Sequence, residues 1–593
     1  MKEHQKVCRK KNQFILVREG KEDEIVTAFY CRIVKDITMK LADGSEKHFY
    51  IVRGKNKNGA NLKELTITAE EFDKMLWPST YWGTQAVVIN LTAFKNHVRQ
   101  KILLRDGIKQ EIQYQYIGFV KQDDGSYLYV DNAGCFTKNG HNSSIKSNLS
   151  KNLAKYKLPA PTKKESKIQK CIKAMLDIGG LSNNNHYIGL LCQTTVIKAL
   201  MSVYLTNTSS HFLLGETGAL KSSVAAIIQS FHGPEFNSSI DLPENWTSSK
   251  VSLLQTTTII KHSIIVIDEF VPEARKTKEL VEKAEEVLRG SANNASRTTA
   301  DSCGNLRQKD DPEATILVTG ETISTDFIAS LLLRIIFFPV SKGDVNLNKL
   351  NHYQNLARKG ELAMFSSLFV TFLLENQGEL EPKISAVFKE YQAKATKVLV
   401  NKHLRLSENA ASLMVAQSLL YYFAKKNGVI DKNQHKEMLS TSWKQILQLI
   451  KKQSQITDGS SLSNLFFDHL KKSLINGEVH LADYSTGGKP KVKKARRLGW
   501  KKQSPQGVCI GWYDRKTKSV YIKTSKEVFR TLFNLIPEGM NKQVPGQQKK
   551  FWKDVESTGG LSTTDEGRNT IRKTEPKSKK SVSVYPLSSS LNF

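Results

Sequence analysis

His-Phe-Leu-Leu-Gly-Glu-Thr-Gly-Ala-Leu-Lys-Ser-Ser-Val-Ala, residues 211–225, is the stretch that decides the fold. An apolar run ends at Gly215, a glycine-containing turn follows, and an apolar stretch with helical spacing begins after Lys221 and Ser222. A strand, a loop and a helix start in this order are typical of a P-loop, in which backbone N–H groups and the helix N-terminus attract a nucleotide triphosphate. We therefore expect ATP and Mg²⁺ as cofactors, with Lys221 on the β- and γ-phosphates and Ser222 on the metal.

Leu220 stands where the last glycine of such a loop is usual. Its N–H still points at the phosphates, so we expect a steric cost that is tolerated if the residue has helical dihedral angles. The residues of the loop that are predicted to bind the nucleotide are Gly215, Thr217, Gly218, Ala219, Leu220, Lys221, Ser222 and Ser223.

The second half of the predicted site ends the run Ser-Ile-Ile-Val-Ile-Asp-Glu-Phe at residues 263–270. Its β-branched residues indicate a fully buried parallel strand. Asp268 is expected to hold Mg²⁺ through water, and Glu269 to polarise the water that attacks the γ-phosphate. A core strand followed by an acidic turn is the alternative. The strand at 263–270 follows the P-loop, with room between the two for a helix and one further strand, and this order favours an ATPase.

Two further apolar runs, residues 314–321 and 330–338, carry polar groups at informative places. Thr319 is the expected sensor of the γ-phosphate, with Glu321 as its rival. Arg334 lies in the middle of an apolar run, which is unfavourable unless the charge is paired. We expect it to act as an arginine finger that stabilises transition-state charge in a neighbouring subunit. A salt bridge within its own subunit is the alternative.

These motifs resemble those of MCM-like AAA+ ATPases, through the P-loop, the Ile267–Phe270 segment and the finger motif Leu332-Leu333-Arg334. The closer resemblance is to the self-loading replicative helicases and replication initiators of staphylococcal mobile elements, the pathogenicity islands and cassette chromosomes. It covers about residues 170–440 and extends more weakly to the C-terminal region. Further features that carry it are Trp246-Thr247-Ser248, Arg289-Gly290, Asn293, Arg297, Gly499-Trp500 and Ile510-Gly511-Trp512.

Length, charge and cysteine content restrict the function further. A chain of 593 residues with a formal net charge of +31 is expected to hold three or four domains and to bind a polyanion. No apolar stretch is long enough for a membrane span, and no signal segment follows Met1, so we expect a cytoplasmic protein with no membrane partner. The 7 cysteines form no C-x-x-C pair, whereas cellular MCM proteins carry zinc in their N-terminal domain.

The expected fold class is multidomain α/β with an AAA+ P-loop ATPase core, in which helices flank a parallel sheet. Helix–helix–hairpin order near the C-terminus, with the hairpin at Val508–Tyr513 and Ser519–Ile522, is typical of a winged helix. The expected segments are an α+β accessory domain at 1–157, a linker at 158–166, the ATPase core at 167–375, a helical lid at 376–440, a winged-helix-like domain at 441–558 and a basic flexible tail at 559–593.

Basic residues at three places are candidates for contact with an anion. By resemblance to hexameric AAA+ helicases, Lys250, Arg297 and Arg307 are expected on pore loops that hold one DNA strand. Arg405 is the expected second sensor, reaching a phosphate, with an ordinary capping interaction as an alternative. A basic run without acids beside the hairpin is expected to contact DNA phosphates, and solvated surface charge is the alternative throughout. The residues of that run are Lys491, Lys493, Lys494, Arg496 and Arg497.

The sequence itself supports ATP hydrolysis and nucleic-acid binding. The resemblance implies an ATP-driven homo-hexameric DNA helicase that translocates on single-stranded DNA, loads itself and binds duplex DNA at an origin. It also allows a primase, a polymerase or a single-strand-binding protein as a partner. Two alternatives stay open: a DNA-bound AAA+ ATPase that acts as loader or regulator without unwinding, and an origin-binding protein whose nucleotide site is weakened by Leu220.

Overall fold

The computed structural model describes residues 5–149, 151–271, 277–293, 311–321, 329–400, 402–459, 462–492, 495–501, 504–505, 507–534, 552, 555–556, 560–562 and 568–588. They belong to two compact units. The first is drawn from Met1–Val271, Glu286–Thr322 and Arg334–Leu449, and the second from Pro272–Glu285, Ile323–Leu333 and Ile450–Phe593.

The amino-terminal region of the first unit consists mainly of strands. Aromatic residues form its core: Trp77 and Trp82 pack edge-to-face against each other and against Phe29. The sheets have the strand orders β1-β2-β3, β12-β7-β4-β5-β6 and β11-β10-β9-β8. The elements are β1 (Gln5–Lys10), β2 (Gln13–Arg18), β3 (Glu24–Ile25), β4 (Phe29–Lys40), β5 (Glu46–Asn56), β6 (Leu65–Thr68), α1 (Ala69–Lys74), α2 (Trp77–Trp82), α3 (Leu91–Leu103), β7 (Lys109–Tyr114), β8 (Gly118–Lys121), β9 (Tyr127–Val130), β10 (Cys135–Thr137), β11 (Gly140–Asn142) and β12 (Lys146–Ser147).

The central segment contains the parallel sheet that the apolar runs predict. Its order is β14-β15-β16-β13-β17, every neighbouring pair is parallel, and its three longest central strands are buried almost throughout. The predicted α/β class with helices on a parallel sheet is thus confirmed. The elements are α4 (Glu165–Leu176), α5 (His186–Met201), β13 (Ser210–Leu214), α6 (Lys221–Gln229), β14 (Glu244–Asn245), α7 (Lys250–Ile259), β15 (Ile264–Phe270), α8 (Thr277–Asn293), β16 (Thr315–Gly320), α9 (Ala329–Leu332) and β17 (Ile335–Pro339).

Helices follow the sheet, and a mixed region ends the chain. Its sheet has the order β18-β21-β22-β24-β23, and the β21–β22 pair is the hairpin that the sequence predicts. The elements are α10 (Leu347–Arg358), α11 (Glu361–Glu375), α12 (Gln377–Val398), α13 (Leu404–Lys426), α14 (Lys432–Gly459), α15 (Leu462–Asn476), β18 (Val479–Asp483), β19 (Trp500–Lys501), β20 (Ser504–Pro505), β21 (Val508–Asp514), β22 (Ser519–Lys523), α16 (Lys526–Asn534), β23 (Ile571–Thr574) and β24 (Ser581–Leu587).

The expectation of a flexible tail at 559–593 is wrong for part of that segment. Strand β24 lies between β22 and β23, and Val584 and Leu587 are fully buried. The segment folds because apolar residues of β24 are buried on both faces of the sheet: Val584 belongs to one hydrophobic cluster, and Tyr585 and Leu587 belong to another.

The expected linker at 158–166 has no regular structure before α4 but is anchored at its start. Leu158 is 1% exposed, and its N–H donates to the Asp131 carboxylate at 2.7 Å. Burial raises the pKa of Asp131 to about 7, although three backbone N–H groups oppose that shift. None of the helices in the part of the chain that the structure describes is long and apolar enough to span a bilayer.

Candidate active site

The loop between β13 and α6 has the backbone that a phosphate cradle requires. A Cβ atom at Gly215 would lie 2.0 Å from the carbonyl oxygen of Val340, so only glycine fits there. Gly218 has a φ of +83°, in the left-handed region that glycine reaches without strain. The Lys221 ammonium donates to the carbonyl oxygen of Glu216 at 2.9 Å and so lies across the loop.

Leu220 caps the start of α6 with left-handed dihedral angles, φ +62° and ψ +27°. The condition under which we expected the steric cost to be tolerated, helical dihedral angles at Leu220, is therefore not met. The left-handed conformation explains why glycine is usual at this position, since an L side chain there costs about 1–2 kcal/mol. The loop keeps its shape despite this strain.

Asp268, at the end of β15, is the centre of a hydroxyl–carboxylate cluster. Its Oδ1 accepts a hydrogen bond from the Ser222 hydroxyl at 3.0 Å and another from the Thr319 hydroxyl. The Asp268 side chain is 8% exposed, so both hydroxyl groups help to solvate a buried carboxylate. Hard oxygen ligands of this kind are those that Mg²⁺ prefers, so the residues fit the metal that the P-loop implies.

Glu269 is exposed beside this cluster and is held from two sides. The Asn245 side-chain amide donates to Glu269 Oε2 at 2.9 Å, and the Glu269 N–H donates to the Thr319 hydroxyl oxygen at 3.2 Å. Its φ of +62° turns the side chain away from the strand direction. Sequence reasoning missed Asn245, because nothing in its local pattern distinguishes it except its place directly before Trp246-Thr247-Ser248.

The rival sensor Glu321 directly follows β16 and so also lies at the carboxyl ends of the parallel strands, but the hydrogen bond that it forms is with neither Asp268 nor Glu269. Its carboxylate accepts a hydrogen bond from the hydroxyl of Thr217 in the P-loop. Lys342, which follows β17, lies with its ammonium 3.7 Å from the Glu216 carboxylate and was not singled out in the sequence. Thr319 contacts both Asp268 and Glu269, so its position matches that expected of a sensor more closely than that of Glu321. Both assignments stay predictions.

Arg334 lies at the amino ends of the parallel strands, opposite the carboxyl ends where Asp268 and Glu269 lie. It directly precedes β17, and its carbonyl oxygen accepts from the N–H of Ser210, the first residue of β13. Lys221 follows the other end of β13, whose five residues span about 16 Å. The guanidinium Nε donates to the Asn293 amide oxygen at 3.0 Å. Arg334 therefore does not reach the P-loop of its own subunit.

Two more arginines lie near Arg334 and form what we call the arginine cluster, Arg289, Arg334 and Arg405. The Arg405 guanidinium donates to the carbonyl oxygen of Thr208 at 3.3 Å, which places it beside the start of β13. Burial lowers the pKa of Arg334 from its ordinary value, and the positive charges of Arg405 and Arg289 lower it further. Three guanidinium groups thus concentrate positive charge near the start of β13 and β17.

The candidate DNA-binding residues are only partly described. Lys250 forms an ion pair with Glu286 at 2.9 Å. Lys491, Arg496 and Arg497 are exposed, and the last two occupy a short turn whose flanking apolar residues are buried. Arg297, Arg307, Lys493 and Lys494 lie outside the described residues.

The comparisons with known proteins bear on the fold. No family model and no curated protein sequence matches this chain. It is similar to a solved structure described as "SCCmec type IV Cch - active helicase", with a TM-score of 0.57, 12% sequence identity, and coverage of 98% of this chain and 97% of that chain. "The A form apo structure of NrS-1 C terminal region-CTR" gives a TM-score of 0.27 at 10% identity, over 70% of this chain and 86% of that chain. The first likeness shows a shared fold; the second is too weak for any conclusion.

Proposed function

We propose that this protein is an ATP-driven DNA helicase of the MCM-like AAA+ class, a replicative enzyme of a mobile element that works as a ring of six identical subunits. One observation supports the proposal: hydroxyl and carboxylate groups meet at the carboxyl ends of one parallel sheet, and a cluster of arginines lies at the amino ends of its strands. Ser222, Asp268 and Glu269 lie at the carboxyl edge, and the arginine cluster lies at the amino edge. The fold shared with the cassette-chromosome helicase supports the same class.

ATP would bind at the carboxyl edge. The loop N–H groups and Lys221 would hold the β- and γ-phosphates, while Ser222 and Asp268 would hold the metal. Bound Mg²⁺ would neutralise charge that develops on the phosphates. The Thr319 hydroxyl donates to the Asp268 carboxylate and accepts from the Glu269 N–H, so it would help to position both residues.

Hydrolysis needs a base and a cation at the γ-phosphate. Glu269 would accept hydrogen bonds from the attacking water, and Asn245 would hold its carboxylate in a fixed direction. The cation would come from Arg334 of a neighbouring subunit, since Arg334 does not reach its own P-loop. Arg405 and Arg289 lie beside Arg334 and would contact the same triphosphate.

A shared site of this kind requires each subunit to face the next head-to-tail, and a ring forms where the rotation between neighbouring subunits closes. Lys250, Arg297 and Arg307 would line its pore and hold one DNA strand. Helices α12 and α13 would form the lid, and the winged-helix-like C-terminal module would place Lys491, Lys493, Lys494, Arg496 and Arg497 on duplex or origin DNA. The last contacts would let the ring load itself, with a primase, polymerase or single-strand-binding protein as further partners.

An unwinding assay on forked DNA tests the proposal and gives the polarity. The substrates carry a single-stranded tail on one strand or on the other, and the proteins are wild type, Glu269→Gln and the control Glu381→Gln, an exposed acid on α12. Glu269→Gln should lower ATP hydrolysis about 100-fold or more and abolish strand displacement while DNA binding persists. The control should behave as wild type.

Two outcomes would contradict the proposal in different ways. Hydrolysis stimulated by DNA without displacement of either fork would identify a loader or regulator. DNA binding with no hydrolysis, and with no effect of Lys221→Ala on nucleotide affinity, would identify an origin-binding protein with a weak nucleotide site.

A further inference from the structure

One pocket of the first unit lies away from the P-loop. Its volume is about 390 Å³, and it opens where the start of the linker meets α4, the segment after α6 and the turn between α10 and α11. The lining includes four cations, Lys157, Lys167, Arg358 and Lys359. None of its described lining residues is acidic.

The charge of this lining is only partly compensated nearby. The Lys157 ammonium lies 3.5 Å from the Glu235 carboxylate. Arg358 donates at 2.6 Å to Asn355, whose amide oxygen is neutral. Glu361, next to the turn, is engaged by Lys170 at 2.9 Å. Several like charges around one concave surface repel each other, and an anion that sits between them removes that repulsion.

The floor of the pocket is apolar. Leu158 is 1% exposed and Met364 is 7% exposed, and Pro159 and Pro234 complete this surface. A pocket of this size lies within the range of small-molecule sites. A bare phosphate would use the cationic rim and leave the floor empty, whereas a nucleotide would place its base or sugar on the floor and its phosphate between the cations.

The pocket is separate from the predicted ATP site. Pro234 follows the C-terminal end of α6, whereas Lys221 begins that helix, and the helix of nine residues is about 13 Å long. A ligand here would contact both the start of the linker and the α10–α11 turn. It would therefore bridge the segment that follows the amino-terminal region and the helices that follow the parallel sheet in the chain.

We propose that this pocket is a second phosphate-binding site, which takes a nucleotide either free or as one unit of a single-stranded DNA. The proposal does not depend on helicase activity, because binding is measured without hydrolysis or unwinding. Lys167 and Lys359 are exposed rim residues, so their substitution is compatible with folding.

The test uses the full chain with Lys221→Ala in every protein, which disables the P-loop. The pocket variant is Lys167→Glu with Lys359→Glu. The control, Lys173→Glu with Lys389→Glu, changes the charge equally at exposed lysines that do not line the pocket. A Lys→Gln pair at positions 167 and 359 removes the charge without reversing it. The probes are ATP with a fluorescent ribose label and a fluorescent dT oligonucleotide, followed by anisotropy, and thermal unfolding confirms that each variant is folded.

The pocket variant should bind at least one probe about tenfold more weakly than the control, with the Lys→Gln pair between them. Loss for the labelled ATP alone identifies a free nucleotide as the ligand, and loss for the oligonucleotide identifies a DNA strand. Equal affinity of the pocket variant and the control for both probes would overturn the proposal. That outcome would leave the P-loop site and the unwinding assay untouched.

Discussion

The two edges of the parallel sheet differ in how their charged groups are satisfied. At the carboxyl edge, hydroxyl and amide groups of the same chain engage both carboxylates, Asp268 and Glu269. At the amino edge, burial lowers the pKa of Arg334, and the nearby guanidinium groups of Arg405 and Arg289 lower it further. The carboxyl edge thus pairs its carboxylates with donors of the same chain, whereas the amino edge brings like charges together, although Arg334 and Arg405 also donate to groups of their own chain.

Removing Arg334 should produce the largest loss of ATP hydrolysis among the substitutions considered below. We expect Arg334→Ala to lower ATP hydrolysis about 1,000-fold, because the transition-state charge in the neighbouring subunit loses its cation. Nucleotide affinity should change little, since the P-loop is intact in every subunit. Steady-state hydrolysis and equilibrium binding of labelled ATP measure the two quantities.

A mixing experiment separates a shared site from a structural role of Arg334. Lys221→Ala and Arg334→Ala are each inactive alone, but mixed rings contain some interfaces in which both residues are present. Hydrolysis should therefore recover on mixing, whereas a mixture of Arg334→Ala with Arg334→Ala/Lys221→Ala should stay inactive. Activity of Arg334→Ala near that of wild type, or no recovery on mixing, would rule out a site divided between the two edges.

The carboxyl edge could be anticipated from sequence because its parts are local. Lys221 and Ser222 start a helix directly after a glycine turn, and Asp268 and Glu269 end an apolar strand. Carboxyl ends of parallel strands meet at one edge, so two contiguous motifs suffice to place these groups together. The hydrogen bond from Ser222 to Asp268 is the contact that this reasoning leads one to expect.

The amino edge could not be assembled in the same way. Arg289, Arg334 and Arg405 come from elements far apart in the chain, and only tertiary packing brings them together. Strand β24 was missed for a related reason: its pairing with β22 is non-local, and its flanks are rich in polar residues. Alternation of polar and apolar residues over Ser581–Tyr585 was a local indication that could have predicted it.

The amino edge also contains a buried lysine, Lys198, which differs from the arginines there because lysine can lose its charge on burial and arginine cannot. The Lys198 ammonium donates to the carbonyl and hydroxyl oxygens of Ser209 at 2.8 and 2.7 Å, next to the start of β13. Burial lowers its pKa from 10.5 to about 7. Between pH 7 and pH 9 the unfolded chain therefore binds more protons at Lys198, so this residue contributes a rise of the free energy of unfolding with pH of up to about 1.4 kcal/mol per unit. Buried cysteines such as Cys31 and Cys192, whose pKa values burial raises, contribute in the opposite direction near pH 9.

Urea unfolding at pH 7, 8 and 9 measures this slope. Lys198→Met should make the slope less positive than in wild type, while Lys173→Met, at an exposed lysine of α4, should leave it unchanged. The neighbouring His211 does not interfere, because burial and the Lys198 charge hold its pKa well below 6.5, outside this window. An unchanged slope in Lys198→Met would show that the lysine is not buried in solution.

The smallest expected effect is on the free energy of unfolding of Leu220 variants. It tests whether the backbone of the P-loop is strained at the position where leucine replaces the usual glycine. Leu220→Gly and Leu220→Ala both lose the half-buried side chain, but only alanine keeps a Cβ atom at φ +62°. Glycine should therefore be more stable than alanine here, by about 0.5–1 kcal/mol, although glycine raises the conformational entropy of the unfolded chain. At the adjacent buried Ala219, whose φ is not positive, substitution by glycine should destabilise instead. Urea unfolding of the three variants gives the sign of each difference in the free energy of unfolding.

A Leu220→Ala protein more stable than Leu220→Gly would mean that the loop has right-handed dihedral angles at this residue. The leucine side chain would then impose no strain on the P-loop.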